Sequence, residues 1–197
     1  MTDAPDWPAY QVGPKDSIFA IGVVSVNYAL LEFAVLGMFS AILGLADELS
    51  HRLMFKIGPE IRDKMMREML PMREWPDNIK DLAQHFIEAH KICYENRNKL
   101  IHSNLLAMSP RAIILAKIGR DGKTALANPL LSELRRVADD MKNVFDYGMH
   151  LSNMIRSELL GVKPQAGDVW HDSCPEKPPQ PIPLEYTSDP RPLRAQP

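Results

Sequence analysis

The sequence predicts an all-α protein, an up-and-down helical bundle with one small inserted β-hairpin. Apolar residues make up 45% of the 197 residues, enough to build a core, and most of them recur at helical spacing in long stretches. A single β-branched stretch, at 112–127, contains a glycine-flanked turn typical of a hairpin. We expect an irregular N-terminal arm at 1–16, a helical domain at 17–160 and a flexible, proline-rich tail at 161–197.

The first predicted helix spans residues 17–50. Ser17, or alternatively Asp16, can cap its start, and no proline interrupts it. Its middle is apolar almost all round, a composition that it shares with transmembrane helices. However, Asn27 and Glu32 lie near its centre, and an unpaired carboxylate is costly in lipid. We therefore expect no membrane contact, and a helix covered by neighbours on several sides, with a second copy of the chain as one candidate neighbour.

Three more helices are predicted. Residues 59–70 form a short helix with a proline in its first turn. Asp77 caps a third helix over roughly 78–106. Over residues 130–160 apolar side chains recur in one narrow seam, and Gly161 ends that helix. A narrow seam of this kind favours association with a second copy of the chain.

The C-terminal segment differs in composition from the rest. From Gly161 onward the chain holds nine of its 17 prolines. Such a segment cannot bury enough apolar surface to offset the entropy of ordering it, so we expect a largely disordered, solvated tail. The alternative is a segment that offers polyproline II to a partner.

Charge and cysteine content exclude several classes of protein. The net charge of −2 and pI of about 6.3 leave no global basic field, so nucleic-acid binding requires a local patch. Cys93 and Cys174 belong to no CxxC pair, which excludes zinc ribbons and disulfide scaffolds. Reduced thiols, and an N-terminus without a basic region followed by an apolar one, predict a cytoplasmic protein. His85, Glu88 and His90 lack helical metal spacing, so we expect no metal or cofactor.

The stretch YENRNKLIHS, residues 94–103, places a charge on a face that should be packed. At 100° per residue, Arg97 falls between one apolar stripe containing Cys93 and another containing Tyr94. A guanidinium stays charged, and an unpaired buried charge costs several kcal/mol. It therefore needs a counter-ion, a bound anion or water. One explanation is a structural ion pair with Glu32, the lone charge of its own apolar stretch; the other is a phosphate-handling site.

His102 lies five positions after Arg97, about 140° round an ideal helix. The two side chains therefore do not point in parallel from a regular helix. Three arrangements remain open: the pair flanks one groove, it converges because the helix frays near Ser103 and Asn104, or two copies of the helix build a shared site.

The run Arg97-Asn98-Lys99-Leu100-Ile101-His102 resembles the Arg-x4–6-His motif of the HEPN superfamily (higher eukaryotes and prokaryotes nucleotide-binding domains). In that family a polar residue, commonly Asn, often follows the arginine, as Asn98 does here. The resemblance covers roughly 17–160 and implies a HEPN-like helical bundle with the motif late in a long helix. The hairpin at 112–127 departs from it.

The resemblance implies a homodimer in which motifs from two protomers face each other across a cleft. It implies a metal-independent endoribonuclease of a toxin–antitoxin, defence or RNA-processing system, with RNA as substrate and a cognate antitoxin or partner protein as a further partner. The alternative is a non-catalytic HEPN-like module that binds a partner protein or a nucleotide. A third possibility is a plain structural dimer in which Arg97 pairs with Glu32.

The chemistry of such a site suits these residue types. Histidine titrates near neutral pH, so His102 can act as the base or the acid in cleavage through the 2′-hydroxyl. Arg97 can hold the phosphate with two N–H groups and stabilise developing charge. Asn98 can orient either the phosphate or the histidine. We expect Tyr94, Glu95 and Lys99 to contact the substrate, and neither a metal nor a cofactor is required.

Overall fold

A computed structural model describes residues 13–109, 112–118, 124–162 and 174–186. Over these residues the chain is mostly helical with one small antiparallel sheet, which confirms the predicted all-α class with an inserted hairpin. The helices and strands are α1 (Lys15–Leu43), α2 (Asp47–Met54), α3 (Pro59–Met69), a 3-10 turn (Leu70–Met72), α4 (Asp77–Ile101), β1 (Asn104–Ser109), β2 (Ala112–Ile118), β3 (Thr124–Ala127), α5 (Leu131–Met154) and a π-helical turn (Ile155–Leu159).

The predicted helix 17–50 is in fact two helices, because Gly44 ends α1. Gly44 has a φ of 67°, in the left-handed region that glycine adopts without a Cβ clash. The amide of Leu45 bonds back to the Ser40 carbonyl at 3.1 Å. The chain then starts again as α2. At the other end α1 begins at Lys15, inside the segment expected to be an irregular arm, of which residues 1–12 lie outside the described part.

The core forms where α5 packs along α1, with α4 against both. The seam predicted for residues 130–160 is buried, and Leu134, Met141 and Leu151 are fully inaccessible. The neighbour that covers this seam is α1 of the same chain. The expectation that the seam would recruit a second copy is therefore wrong.

One face of α1 is exposed although it is apolar. Val24 and Leu31 are fully buried, whereas Phe19, Val26 and Phe33, spaced seven residues apart, are 74%, 61% and 62% exposed. No described segment of the chain covers this face, so its cover by a second copy stays a prediction. By length and composition alone α1 is long and apolar enough to cross a membrane, and 33% of its most apolar 18-residue window is buried.

The sheet has three antiparallel strands in the order β1-β2-β3. Strands β2 and β3 are the predicted hairpin, with Leu115 opposite Ala127. Strand β1 was not predicted: the third helix was expected to reach residue 106 but ends at Ile101, and β1 pairs with β2, placing Asn104 opposite Ala116. An apolar segment such as this one fits a strand as well as a helix, and here β2 supplies the backbone partners.

Residues 174–186, which we call the strap, pack along α4 and α5. Pro175, Pro181 and Leu184 are buried in an extended segment. The expectation of a disordered tail is wrong for these residues, because α4 and α5 supply hydrogen-bond partners to backbone groups that a proline-rich segment cannot pair within itself. The other tail residues, 163–173 and 187–197, lie outside the described part of the chain.

Candidate functional site

Arg97 and His102 converge at the C-terminal end of α4. The helix ends at Ile101, and His102 has φ −104° and ψ 5°, outside the helical region. Its amide still bonds the Asn98 carbonyl at 3.0 Å. Because the regular helix stops one residue earlier, the 140° separation no longer applies, and Arg97 Nη1 lies 2.6 Å from His102 Nε2. Of the three arrangements that the sequence left open, convergence within one chain is the one found.

The direction of this hydrogen bond follows from the chemistry of the guanidinium. A guanidinium only donates hydrogen bonds, so His102 Nε2 is the acceptor in this contact. Arg97 Nη1 also donates to Asn98 Oδ1 at 3.1 Å. Arg97 and Asn98 are half-buried and His102 is exposed. The three residues of the motif therefore form one hydrogen-bonded group at the surface.

An aromatic ring, rather than a carboxylate, lies beneath Arg97. The guanidinium carbon is 5.5 Å from the centroid of Tyr28, within the range of a cation–π interaction. The half-buried ring of Tyr94 tilts against Tyr28 at 6.5 Å. Tyr94, expected to contact substrate, thus forms part of the aromatic wall that supports Arg97. Burial raises the pKa of Tyr28, so its hydroxyl remains protonated.

Glu32 pairs with Arg62 of α3 instead of Arg97. Arg62 Nη1 lies 2.8 Å from Glu32 Oε2, and the Tyr28 hydroxyl donates to Oε1 at 2.8 Å. The expected alternative, an Arg97–Glu32 ion pair, is therefore wrong. Burial acts to raise the pKa of Glu32, but the hydrogen bond and positive charge of Arg62, with the Tyr28 hydrogen bond, hold it below its ordinary value.

A second buried pair extends this network. His90, fully buried, shares a hydrogen bond between Nδ1 and Asp63 Oδ1 at 3.0 Å, and its Nε2 lies 3.9 Å from Glu32 Oε1. Sequence reasoning did not find Arg62 or Asp63. A signal was available, because both precede the fully buried Met66 by one helical turn, which places them on the packed face of α3.

Lys99 holds the strap in this structure. Its Nζ donates to the Leu184 carbonyl at 2.5 Å. Asn96, 1% exposed, donates to the Ile182 carbonyl at 3.0 Å and accepts from the Leu184 amide at 2.7 Å. Asn96 was not identified from the sequence, although its spacing from Cys93 and Leu100 places a polar residue on the buried stripe of α4. Lys99 was expected to contact substrate, but in this structure its ammonium group bonds the strap instead.

The strap reaches the immediate surroundings of His102. The Tyr186 hydroxyl bonds the neighbouring Ser103 hydroxyl and donates to the Lys99 carbonyl at 2.7 Å. Burial raises the pKa of Tyr186. Glu95, the remaining residue expected to contact substrate, is exposed on α4. The site therefore brings Arg97, Asn98, His102 and Tyr94 together and joins Lys99 to the strap.

Within the described ranges, no three His, Cys, Asp or Glu side chains are grouped so that they could hold a metal ion. Comparisons of the chain with protein-family models, with curated proteins and with solved structures gave no match. Function must therefore be inferred from the geometry of the chain's own residues.

Proposed function

We propose that this chain is a HEPN-like, metal-independent endoribonuclease that cleaves RNA through the 2′-hydroxyl at the Arg97–His102 site. The observation that carries the proposal is the 2.6 Å contact between these two side chains at the surface-accessible end of α4. It places a permanent positive charge and a proton-transfer group within reach of one phosphodiester.

Substrate binding replaces the contact seen between the two side chains. The phosphate oxygens accept two N–H bonds from Arg97, which frees the Nε2 lone pair of His102. His102 then takes the proton of the 2′-hydroxyl, and the 2′-oxygen attacks phosphorus while the bond to the 5′-oxygen breaks. The products are a 2′,3′-cyclic phosphate and a 5′-hydroxyl, whose proton comes from the His102 of a second copy, which enters the step in its protonated form. The proposal thus includes a homodimer, and it places the enzyme in the cytoplasm.

Two neighbours position Arg97 for this role. Asn98 holds Nη1 through a 3.1 Å bond, and the Tyr28 ring supports the guanidinium from below. A planar guanidinium fixed in this way loses little further freedom when it binds a phosphate.

A second candidate function is a non-catalytic HEPN-like module that binds a partner protein, such as a cognate antitoxin, or a nucleotide. The strap favours it, because α4 beside the motif already binds an extended peptide segment through Asn96 and Lys99.

The test is cleavage of varied RNAs in EDTA by wild type, Arg97→Ala and His102→Ala at matched folded content and oligomeric state. We expect wild type to produce 2′,3′-cyclic phosphate ends and each substitution to reduce the rate by about a hundredfold or more. Arg135→Ala is the matched control, because this exposed arginine lies on α5 outside the motif.

Equal activity in all four proteins would identify a contaminating nuclease and contradict the proposal. Binding of RNA or nucleotide by wild type without any turnover would instead support the non-catalytic module.

A further inference from the structure

A groove of about 410 Å³ lies between α1, α2 and α3, outside the Arg97–His102 motif. Its volume falls in the range of small-molecule sites, which combine apolar walls with a few polar groups. Its lining residues include Glu32, Phe33, Met54, Phe55 and Arg62. The mechanism above uses none of these side chains.

The polar groups of the groove keep hydrogen-bonding capacity that the described chain leaves unused. Arg62 is only 6% exposed, and its buried Nε–H has no hydrogen-bond partner among the described residues. Its Nη1 bonds Glu32 Oε2 at 2.8 Å and Met54 Sδ at 3.4 Å. The two Glu32 oxygens have one described hydrogen bond each, to Tyr28 and Arg62, and each retains a lone pair. An unsatisfied buried donor is costly, and in a native structure such a group calls for an explanation.

The groove also offers aromatic faces. Phe55, at the end of α2, is 89% exposed, whereas Phe33, which also lines the groove, belongs to the exposed face of α1. Unstacked RNA bases are bound by features of this kind: an exposed aromatic side chain stacks on the base, and polar groups beside it form hydrogen bonds to the base edge.

The donor and acceptor pattern selects one base. A carboxylate with two free lone pairs fits two adjacent, parallel N–H donors, and a guanidinium beside it fits a neighbouring carbonyl. Guanine presents N1–H and N2–H next to O6. Adenine, cytosine and uracil each lack this pair of adjacent donors.

We propose that the groove binds a guanine base, with Glu32 accepting from N1–H and N2–H, Arg62 donating to O6, and Phe55 stacking on the ring. Tyr28 joins the groove to the motif, because its hydroxyl bonds Glu32 while its ring supports Arg97. If the proposed function holds, the enzyme should prefer to cut RNA close to a guanosine, and this consequence rests on that function. Binding of the guanine base itself is independent of it.

The experiment is calorimetric titration of the full chain with guanosine, adenosine, cytidine and uridine, which carry no phosphate and so do not engage Arg97. We expect guanosine to bind at least about tenfold more tightly than the other three. Glu32→Gln and Phe55→Ala should each weaken guanosine binding about tenfold or more. The exposed Glu60→Gln and Met72→Ala serve as matched controls and should bind as wild type does.

Equal binding of the four nucleosides, or guanosine binding that survives both groove substitutions, would overturn the proposal. Because Phe55 is exposed, Phe55→Ala remains informative even where Glu32→Gln lowers stability.

The variant His102→Ala distinguishes the groove proposal from the proposed function. If this variant still binds guanosine but no longer cleaves RNA, both proposals are supported. Guanosine binding by a wild type that cleaves no RNA upholds the groove and removes the ribonuclease, whereas cleavage without nucleoside binding does the reverse.

Discussion

At the scale of single residues, the chain separates two arginines that both lie on packed faces. Arg62 is nearly inaccessible and has a carboxylate partner in Glu32, the arrangement expected of a structural ion pair. Arg97 is half-buried, lies over an aromatic ring and donates to an imidazole nitrogen and an amide oxygen. An arginine held by neutral groups keeps its charge uncompensated by those contacts and so remains available to an anion. This difference is why we place the phosphate chemistry at Arg97 and give Arg62 no part in cleavage.

Glu32→Gln should lower the free energy of unfolding by about 2 kcal/mol, because it leaves Arg62 buried without its counter-charge. Glu60→Gln, at an exposed position of α3, should change it by less than about 0.5 kcal/mol. Urea unfolding of the three proteins at neutral pH measures the difference. Equal midpoints for wild type and Glu32→Gln would show that the ion pair contributes nothing.

The same pair should make stability depend on pH. Since the folded-state pKa of Glu32 lies below its ordinary value of 4.5, its contribution is fully present above that value and is lost as pH falls through the folded pKa. The difference in unfolding free energy between wild type and Glu32→Gln should therefore shrink on acidification. A difference that stays constant would exclude Glu32 as the titrating group.

At the scale of elements, the strap shows how α4 binds a proline-rich segment. Prolines remove backbone donors, so the strap cannot build regular structure of its own. Helix α4 instead supplies side-chain hydrogen bonds to it. Asn96 accepts from the Leu184 amide and donates to the Ile182 carbonyl, and Lys99 donates to the Leu184 carbonyl. Leu184, 6% exposed, adds apolar burial between these bonds. The strap thus docks on α4 much as a separate peptide would.

Asn96→Ala should release the strap, because it removes two hydrogen bonds worth about 2 kcal/mol together. Amide exchange of Leu184 should accelerate roughly thirtyfold, as followed by NMR. Asn78→Ala, at an exposed position in the first turn of α4, should leave that rate unchanged. An unaltered Leu184 rate in Asn96→Ala would mean that the strap is held by other contacts.

At the scale of the whole molecule, the exposed face of α1 stands out. Phe19, Val26 and Phe33 repeat every seven residues, the spacing with which one helix packs along another. These three residues extend over about 20 Å of helix, a length suited to a dimer contact of ordinary size once flanking residues are included. A two-fold axis near Val26 would make this face pack on its own copy. Because this face lies on the side of α1 opposite Tyr28 and Arg97, such a contact is separate from the shared Arg97–His102 site of the proposed enzyme.

Val26→Asp should therefore convert a dimer into a monomer, because it buries an unpaired carboxylate at the centre of the contact. Sedimentation equilibrium of wild type and variant measures the change. Val162→Asp, a substitution at an exposed residue outside α1, is the control and should remain dimeric. A monomeric wild type that floats with lipid vesicles would show that the α1 face contacts a membrane instead.

Several elements followed from local patterns. The stripe of Leu82, Phe86 and Cys93 on α4, the start of α3 at Pro59 and the β2–β3 hairpin could be predicted because each depends on neighbours in sequence. The motif itself was also visible. The break at Gly44 was missed, since a glycine inside an apolar run is compatible with a continuing helix and only the closing bonds of the cap reveal its end.

What the sequence alone determined is the helical class, the core stripes and the position of Arg97, Asn98 and His102 near the end of a long helix. The tertiary structure decided which groups meet. Glu32 pairs with Arg62, 30 residues away in sequence. The segment after Ile101 pairs with β2 as a strand, so α4 stops there and His102 contacts Arg97. Helix α4 also binds residues 174–186 through hydrogen bonds. The physical reason is that periodicity specifies which face of an element is buried, whereas the partner of a buried charge or an unpaired backbone group depends on which distant segment packs against it.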